Sequence, residues 1–117
     1  MSEMGKRVAV IVRNTPFNSE RNSEALRMTV GLTTGDHQIT VLFLDDGVLS
    51  LRALDPALIG ADDANKHLDA CRMLGVRLVA EEEALRRLGF TPAKPVDVVA
   101  RDEALRAIAA ADVVVPF

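Results

Sequence analysis

The chain has 117 residues, 49% of them hydrophobic, and a net charge of −3. This fits a single domain spanning residues 1–117, and the interspersed charges argue against nucleic-acid binding. No apolar run approaches the roughly 18 residues of a membrane span, the N-terminus lacks a signal peptide's apolar stretch, and the single cysteine is typical of a reducing cytoplasm, so we expect a cytoplasmic protein.

The first predicted element is the strand from Arg7 to Arg13, in which five consecutive apolar residues lie between charged ends. A run this short and this rich in Val and Ile is typical of a strand buried on both faces in the middle of a parallel sheet. We therefore expect it to be the central strand. Ligands of open α/β sheets bind beyond the carboxyl ends of the strands, so we look for function in the loop that follows.

Helical spacing and chain-breaking residues divide the rest of the chain into alternating helices and strands. The predicted strands are Gln38 to Leu44, Val76 to Ala80, Val96 to Ala100 and Val113 to Phe117, and the predicted helices are Ser19 to Thr33, Asp62 to Leu74, Glu81 to Leu88 and Arg101 to Ala110. Strands separated by helices need crossover connections. The pattern predicts a three-layer α/β sandwich with a mostly parallel sheet of about five strands.

The segment from Val48 to Leu58 holds seven apolar residues, more than a connection between elements needs. Soluble monomers rarely leave such a surface in water. We therefore expect an interface here, in which Leu51 and Leu54 take part, and a protein that is not a monomer. The alternative is a half-buried helix that folds over the edge of its own sheet.

Cys71 is the only possible thiol nucleophile, and Asp63 and His67 precede it at helical spacing. A thiol beside an imidazole and a carboxylate is a known way to activate a thiolate. However, Ala64, Leu68 and Cys71 also form the apolar stripe of this helix, and its end lies toward the amino edge of the sheet. The sequence therefore favours a structural core cysteine, and an enzyme that uses Cys71 with His67 is the weaker alternative.

Acidic residues follow two of the predicted strands, with Asp45 and Asp46 after the second and residues 81–83 after the third. Such carboxylates could hold Mg²⁺. A phospho-acceptor receiver domain would also need acids after its first strand, where Arg13 and Asn14 stand. We interpret these acids as residues of a turn after the second strand and of the first turn of the helix after the third, and we expect no metal. Glycine-rich phosphate-binding motifs are absent, so no cofactor is predicted.

Three stretches resemble the DsrE/DsrF-like family, which includes the Tus-type sulfur-relay subunits. They are Val8 to Phe17, Val41 to Val48, and Asp102 to Phe117. The resemblance implies a small α/β subunit that often takes part in sulfur transfer. It also implies assembly into dimers, trimers or hexamers, or into hetero-oligomers with related subunits.

Family members that carry persulfide do so on a cysteine just after strand three. The matching position here is Ala80 or Glu81, so the nucleophile is missing. The resemblance therefore implies an accessory or partner-binding subunit.

A small-ligand-binding oligomeric protein unrelated to sulfur remains the other alternative. If there is a ligand pocket, we expect Arg13, Asn14 and Thr15 to face the Ala80–Glu83 turn across it, with Ala80 and Glu81 as binding residues and Arg13 as the one fixed positive charge.

Overall fold

A five-stranded parallel sheet organises the chain. The computed structural model describes residues 6–13, 27–29, 31, 37–51, 69–92 and 96–116. The strands are β1 (Arg7–Val12), β2 (Gln38–Phe43), β3 (Arg77–Glu81), β4 (Asp97–Val99) and β5 (Val113–Pro116). Their order is β4-β3-β2-β1-β5, and every neighbouring pair is parallel. The predicted α/β class with about five strands is confirmed.

Three helices are described from end to end: a 3₁₀ helix (Asp45–Leu51), α1 (Glu82–Leu88) and α2 (Arg101–Ala109). Residues 27–29 and 31 and residues 69–73 are also helical. They fall within the two longer predicted helices, of which the remaining residues lie outside the described part of the chain.

β2, and not β1, is the central strand of the sheet. β1 pairs with β2 on one side and with the edge strand β5 on the other. The sequence could not separate the two possibilities, because a strand second from the edge is also flanked on both sides and covered on both faces. The expectation that β1 is central was therefore wrong by one position.

The core consists of two apolar clusters, one on each face of the sheet, because successive side chains of a strand point to opposite faces. The first cluster lies beneath the 3₁₀ helix and α1 and includes Val10, Val41, Phe43, Leu78, Cys71, Ala84 and Leu85. The second lies beneath α2 and includes Ala9, Leu42, Leu44, Val79, Val99 and Ala104. Helices thus cover both faces, as a three-layer sandwich requires.

The 3₁₀ helix folds back over the first cluster and buries Val48 and Leu51 completely. A 3₁₀ helix has about three residues per turn, so residues three apart lie on the same side and both side chains reach the core. The expectation that Leu51 lies at an interface with a partner is therefore wrong. Leu54 and the rest of the segment, residues 52–58, lie outside the described residues.

Candidate functional site

Four charged side chains meet at the carboxyl edge of the sheet. Arg13 follows β1, Asp45 follows β2, Glu81 is the last residue of β3, and Arg101 is the first residue of α2, two residues after β4. Because all five strands are parallel, these chain segments leave the sheet at the same edge. This is the edge at which open α/β sheets bind their ligands.

The four side chains form a continuous chain of ion pairs. Arg13 Nε donates to Asp45 Oδ2 at 3.0 Å, and Arg101 Nη1 donates to Asp45 Oδ1 at 2.8 Å. The same Nη1 also donates to Glu81 Oε1 at 3.1 Å. Glu81 Oε1 accepts a further hydrogen bond, at 2.9 Å, from the backbone N–H of Asp45. Arg101 therefore links the ends of β2, β3 and β4.

The burial of each side chain indicates which of these ion pairs contributes most to stability. The Glu81 side chain is only 4% exposed, whereas that of Arg13 is 61% exposed. A buried carboxylate is tolerated when it is paired and hydrogen-bonded, and Arg101 and the Asp45 backbone N–H supply both for Glu81. Glu83 holds Arg101 from the other side, by accepting a hydrogen bond from its backbone N–H at 2.9 Å.

The arginines favour the ionised form of Asp45. Burial raises the pKa of Asp45, but hydrogen bonds from Arg101 and Arg13 and their charges outweigh it, so this pKa lies below its ordinary value of 3.8. Hydrogen bonds to Asp45 and Glu81 raise the pKa of Arg101. A proton-transfer role would need a group whose pKa lies close to the working pH, and neither Asp45 nor Arg101 has one. The ion pairs therefore favour a structural role at this edge.

Replacing Arg101 by Met should destabilise the fold much more than replacing Arg13 by Met. Arg101→Met leaves the buried Glu81 carboxylate without its cation and should lower the free energy of unfolding by about 2 kcal/mol. Arg13→Met removes an exposed partner of Asp45 and should cost about 0.5 kcal/mol. Urea unfolding at neutral pH measures both, and equal losses would contradict the burial argument.

The pairing of Asp45 also predicts an acid dependence. A carboxylate with a lowered folded-state pKa contributes stability that is fully present above its unfolded value and is lost as the pH falls through the folded value. The Asp45 contribution should therefore be intact above pH 3.8 and should fade below it. The stability difference between the wild type and Asp45→Asn should shrink over the same range.

The structure brings together only some of the predicted site residues. Arg13 lies at the predicted edge, while Asn14 and Thr15 lie outside the described residues. Ala80 and Glu81 belong to β3 and not to a turn, and Ala80 packs in the core cluster on the opposite face from Arg101. Arg13 is not the only fixed positive charge here, because Arg101 provides a second one that the sequence analysis missed.

Cys71 lies far from this cluster, at the amino edge, just before β3. Its side chain is completely buried, and burial raises the pKa of its thiol to about 11. A buried thiol with a raised pKa is chemically inert at neutral pH. The expectation of a core cysteine is consistent with this position. His67 and Asp63, its proposed helpers, lie outside the described residues.

Native Cys71 should react very slowly with a disulfide reagent such as DTNB. The rise in pKa from 9.0 to about 11 lowers the thiolate fraction roughly 100-fold at about pH 8, and burial slows access further. Stopped-flow absorbance measures the labelling rate of the native chain in buffer and of the unfolded chain in concentrated urea. Labelling as fast in buffer as in urea would show that the thiol is accessible.

Among the residues that the structure describes, no three His, Cys, Asp or Glu side chains form a group that could hold a metal ion. Within the same residues, every helix is too short or too polar to cross a membrane.

Known proteins resemble this chain in family and in fold. The model of the DsrE/DsrF-like family matches residues 6–117. No curated protein gives a match. The crystal structure of the ychN protein from E. coli superposes with a TM-score of 0.76 over 96% of this chain and 99% of that chain, at 18% identity. An identity this low supports the fold alone. Because the family model spans nearly all of its residues, the chain belongs to the DsrE/DsrF-like family.

Proposed function

We propose that this chain is an accessory, partner-binding subunit of intracellular sulfur transfer that carries no persulfide itself. The supporting observation is the end of β3, where the resemblance to the family predicts the persulfide cysteine. The chain has Ala80 and Glu81 there, and the carboxylate of Glu81 is buried and bonded to Arg101. Sulfur transfer needs a thiolate nucleophile, which a paired carboxylate cannot replace.

The single cysteine of the chain does not compensate for this loss. Cys71 lies at the amino edge of the sheet, whereas Glu81 lies at the carboxyl edge. The strands between these edges are about 17 Å long, given five residues at about 3.3 Å each. A persulfide on Cys71 would therefore form in the core and away from the Glu81 position. This separation supports an accessory role over an enzyme that uses Cys71.

Mass spectrometry after incubation with sodium polysulfide tests the proposal. We expect the native chain to stay unmodified, because the thiol of Cys71 is buried and protonated. A persulfide on Cys71 that forms under native conditions and is lost in His67→Ala would overturn the proposal in favour of a sulfurtransferase. Unfolded chain treated in the same way is the positive control for the chemistry.

The proposed role requires a partner, and we propose that this is a second copy of the chain or a related subunit in the cytoplasm. Apolar surface supports assembly, since Val113 and Val114 of the edge strand β5 are exposed. The outer side of an edge strand also presents backbone groups that can pair with another strand. This surface replaces Leu51 as the basis for expecting an oligomer.

Light scattering behind a sizing column should give a mass above that of one chain, 12.7 kDa. Val114→Lys should lower this mass, because a charge at the β5 edge opposes pairing there. Leu105→Lys is the matched control: Leu105 is 45% exposed, compared with 43% for Val114, but it lies on α2 and not on an edge strand, so this variant should keep the mass of the wild type. A single-chain mass for the wild type would exclude self-association and leave a related subunit as the partner.

A further inference from the structure

A cavity of about 660 Å³ opens at the amino edge of the sheet, on the face covered by α2. It lies at the opposite end of the strands from the ion-pair cluster, and the proposed accessory role does not use it. Its size is within the range typical of small-molecule sites, roughly 300–1,000 Å³. Polar and charged residues line its rim, among them Arg7, His37, Gln38, Thr40 and Arg77.

The strand register places two arginines on opposite sides of β2. Arg7 of β1 is paired with Gln38, and Arg77 of β3 is paired with Thr40. By strand alternation, all four side chains share the face of Ala9, Leu42 and Val79. β1 and β3 are two strand spacings apart, about 10 Å, and Arg77 lies about 7 Å further along the strands than Arg7, since Thr40 is two residues after Gln38. The two Cα atoms are therefore about 12 Å apart, which is within the combined reach of two arginine side chains.

Both guanidinium groups retain donors for a ligand. The guanidinium of Arg7 makes no hydrogen bond or ion pair with any residue that the structure describes. Its backbone N–H donates to Asp112 Oδ2 at 2.8 Å, and its backbone carbonyl accepts from the Asp112 N–H at 2.8 Å. Arg77 donates through Nε to Asp97 Oδ2 at 2.8 Å, in an exposed pair. Its two terminal nitrogens are not used in that bond, and a guanidinium has five N–H donors in all.

The floor of the cavity is apolar. It consists of side chains from the sheet and from the last turn of α2 and the residues after it, namely Ala9, Leu42, Ala107, Ala110 and Ala111. The carboxyl end of α2 brings roughly half a negative charge to this edge. Asp112 and Asp97 lie beside Arg7 and Arg77, but neither is among the described residues that line the cavity. Within that lining, Arg7 and Arg77 are the only Arg, Lys, Asp or Glu residues, so positive side chains lie above a floor of small apolar ones.

We propose that this cavity binds a small amphipathic organic anion. Its carboxylate, sulfonate or phosphate group lies between Arg7 and Arg77, where a guanidinium can bind an oxyanion through two parallel hydrogen bonds. Its apolar body lies on the alanine floor. Thr40 and Gln38, between the two arginines, supply neutral polar contacts.

Titration with 8-anilinonaphthalene-1-sulfonate, which combines a sulfonate with aromatic rings, tests the proposal by fluorescence. We expect saturable binding to the native chain, and Arg7→Gln and Arg77→Gln should each raise its Kd about tenfold, the loss of a charge-assisted hydrogen bond. Arg86→Gln is the matched control, because Arg86 is an exposed arginine of α1, paired with Glu82 outside the cavity. It should leave the Kd unchanged.

Ala107→Leu gives an independent test that keeps both charges. The larger side chain fills part of the floor and should weaken binding, while circular dichroism should show an intact fold. Amide NMR shifts on titration should centre on Ala9, Thr40 and Ala111. A Kd that is unaffected by both arginine substitutions, or shifts centred on β5 or on the carboxyl edge, would overturn the proposal. Neither result would bear on the polysulfide test, so the two proposals fail separately.

Discussion

Leu51→Asp is expected to unfold the chain, and not to dissociate an assembly. Leu51 is completely buried in the core cluster on the first face of the sheet. Truncating a buried leucine to alanine alone costs about 2–5 kcal/mol, and a buried unpaired carboxylate adds several more. Domains of this size are stable by about 5–15 kcal/mol in total. Far-UV circular dichroism and urea unfolding should therefore show little or no native protein.

Leu105→Asp is the matched control for this substitution. Leu105 lies on α2 and is 45% exposed, so an aspartate at this position can be hydrated. It should cost no more than about 1 kcal/mol, most of it from the lower helix propensity of Asp. A folded Leu51→Asp variant with a lower mass than the wild type would contradict the burial of Leu51 and return it to an interface.

The elements of the fold could be predicted because local chemistry marks them clearly. β1 and β2 are apolar runs, and the predicted ends of the helix before β3 and of α1 coincide with Gly75 and Gly89, both of which have positive φ. A left-handed residue is a common helix end, and glycine adopts it without strain. Strand order has no such local mark: β1 and β2 are both mainly apolar and both largely buried, so the position of each in the sheet could not be predicted.

Part of the site could have been found from the sequence. In a parallel sheet every carboxyl end lies at one edge, so Arg101, just after the predicted fourth strand, belongs with Arg13, Asp45 and Glu81. It was missed because a charged residue at the start of a helix is ordinary on its own. The pairing of Glu81 with Arg101 was not predictable, because it depends on β3 and β4 being neighbours.

The burial of Leu51 was also not predictable from composition. The segment that begins at Val48 is apolar enough for either a core or an interface. What decides between them is the conformation just after β2, where Asp45 has φ of 51° and starts the 3₁₀ helix. Aspartate tolerates this left-handed conformation better than most residues, but the sequence does not show that it adopts it.

Gly47→Ala should be the most damaging small substitution in the 3₁₀ helix. A Cβ atom at this position would lie 1.9 Å from the carbonyl oxygen of Val12 and 2.6 Å from its carbonyl carbon. Both are backbone atoms at the end of a buried strand, so no side-chain rotation relieves the contact. We expect a loss of about 3 kcal/mol, the upper end for overpacking.

Two backbone hydrogen bonds connect the carbonyl of Val12 to Gly47, next to the ion-pair cluster. The carbonyl of Val12 accepts a hydrogen bond from the Leu44 N–H at 3.0 Å, and the carbonyl of Leu44 accepts one from the Gly47 N–H at 2.8 Å. Moving the 3₁₀ helix away from β1 would strain the second bond, which joins the helix to Leu44, and displace Asp45 from Arg13. The acid dependence attributed to Asp45 should therefore weaken in Gly47→Ala.

Gly31→Ala is the control that separates this steric effect from the general effect of replacing glycine. Gly31 is helical, and a Cβ there would meet no atom of the described part of the chain within 4 Å. Alanine in a helix interior is more favourable than glycine by about 0.5–1 kcal/mol, so this variant should be more stable than the wild type. Urea unfolding of both variants should thus give changes of opposite sign. A Gly47→Ala variant as stable as Gly31→Ala would show that the 3₁₀ helix does not pack against the end of β1.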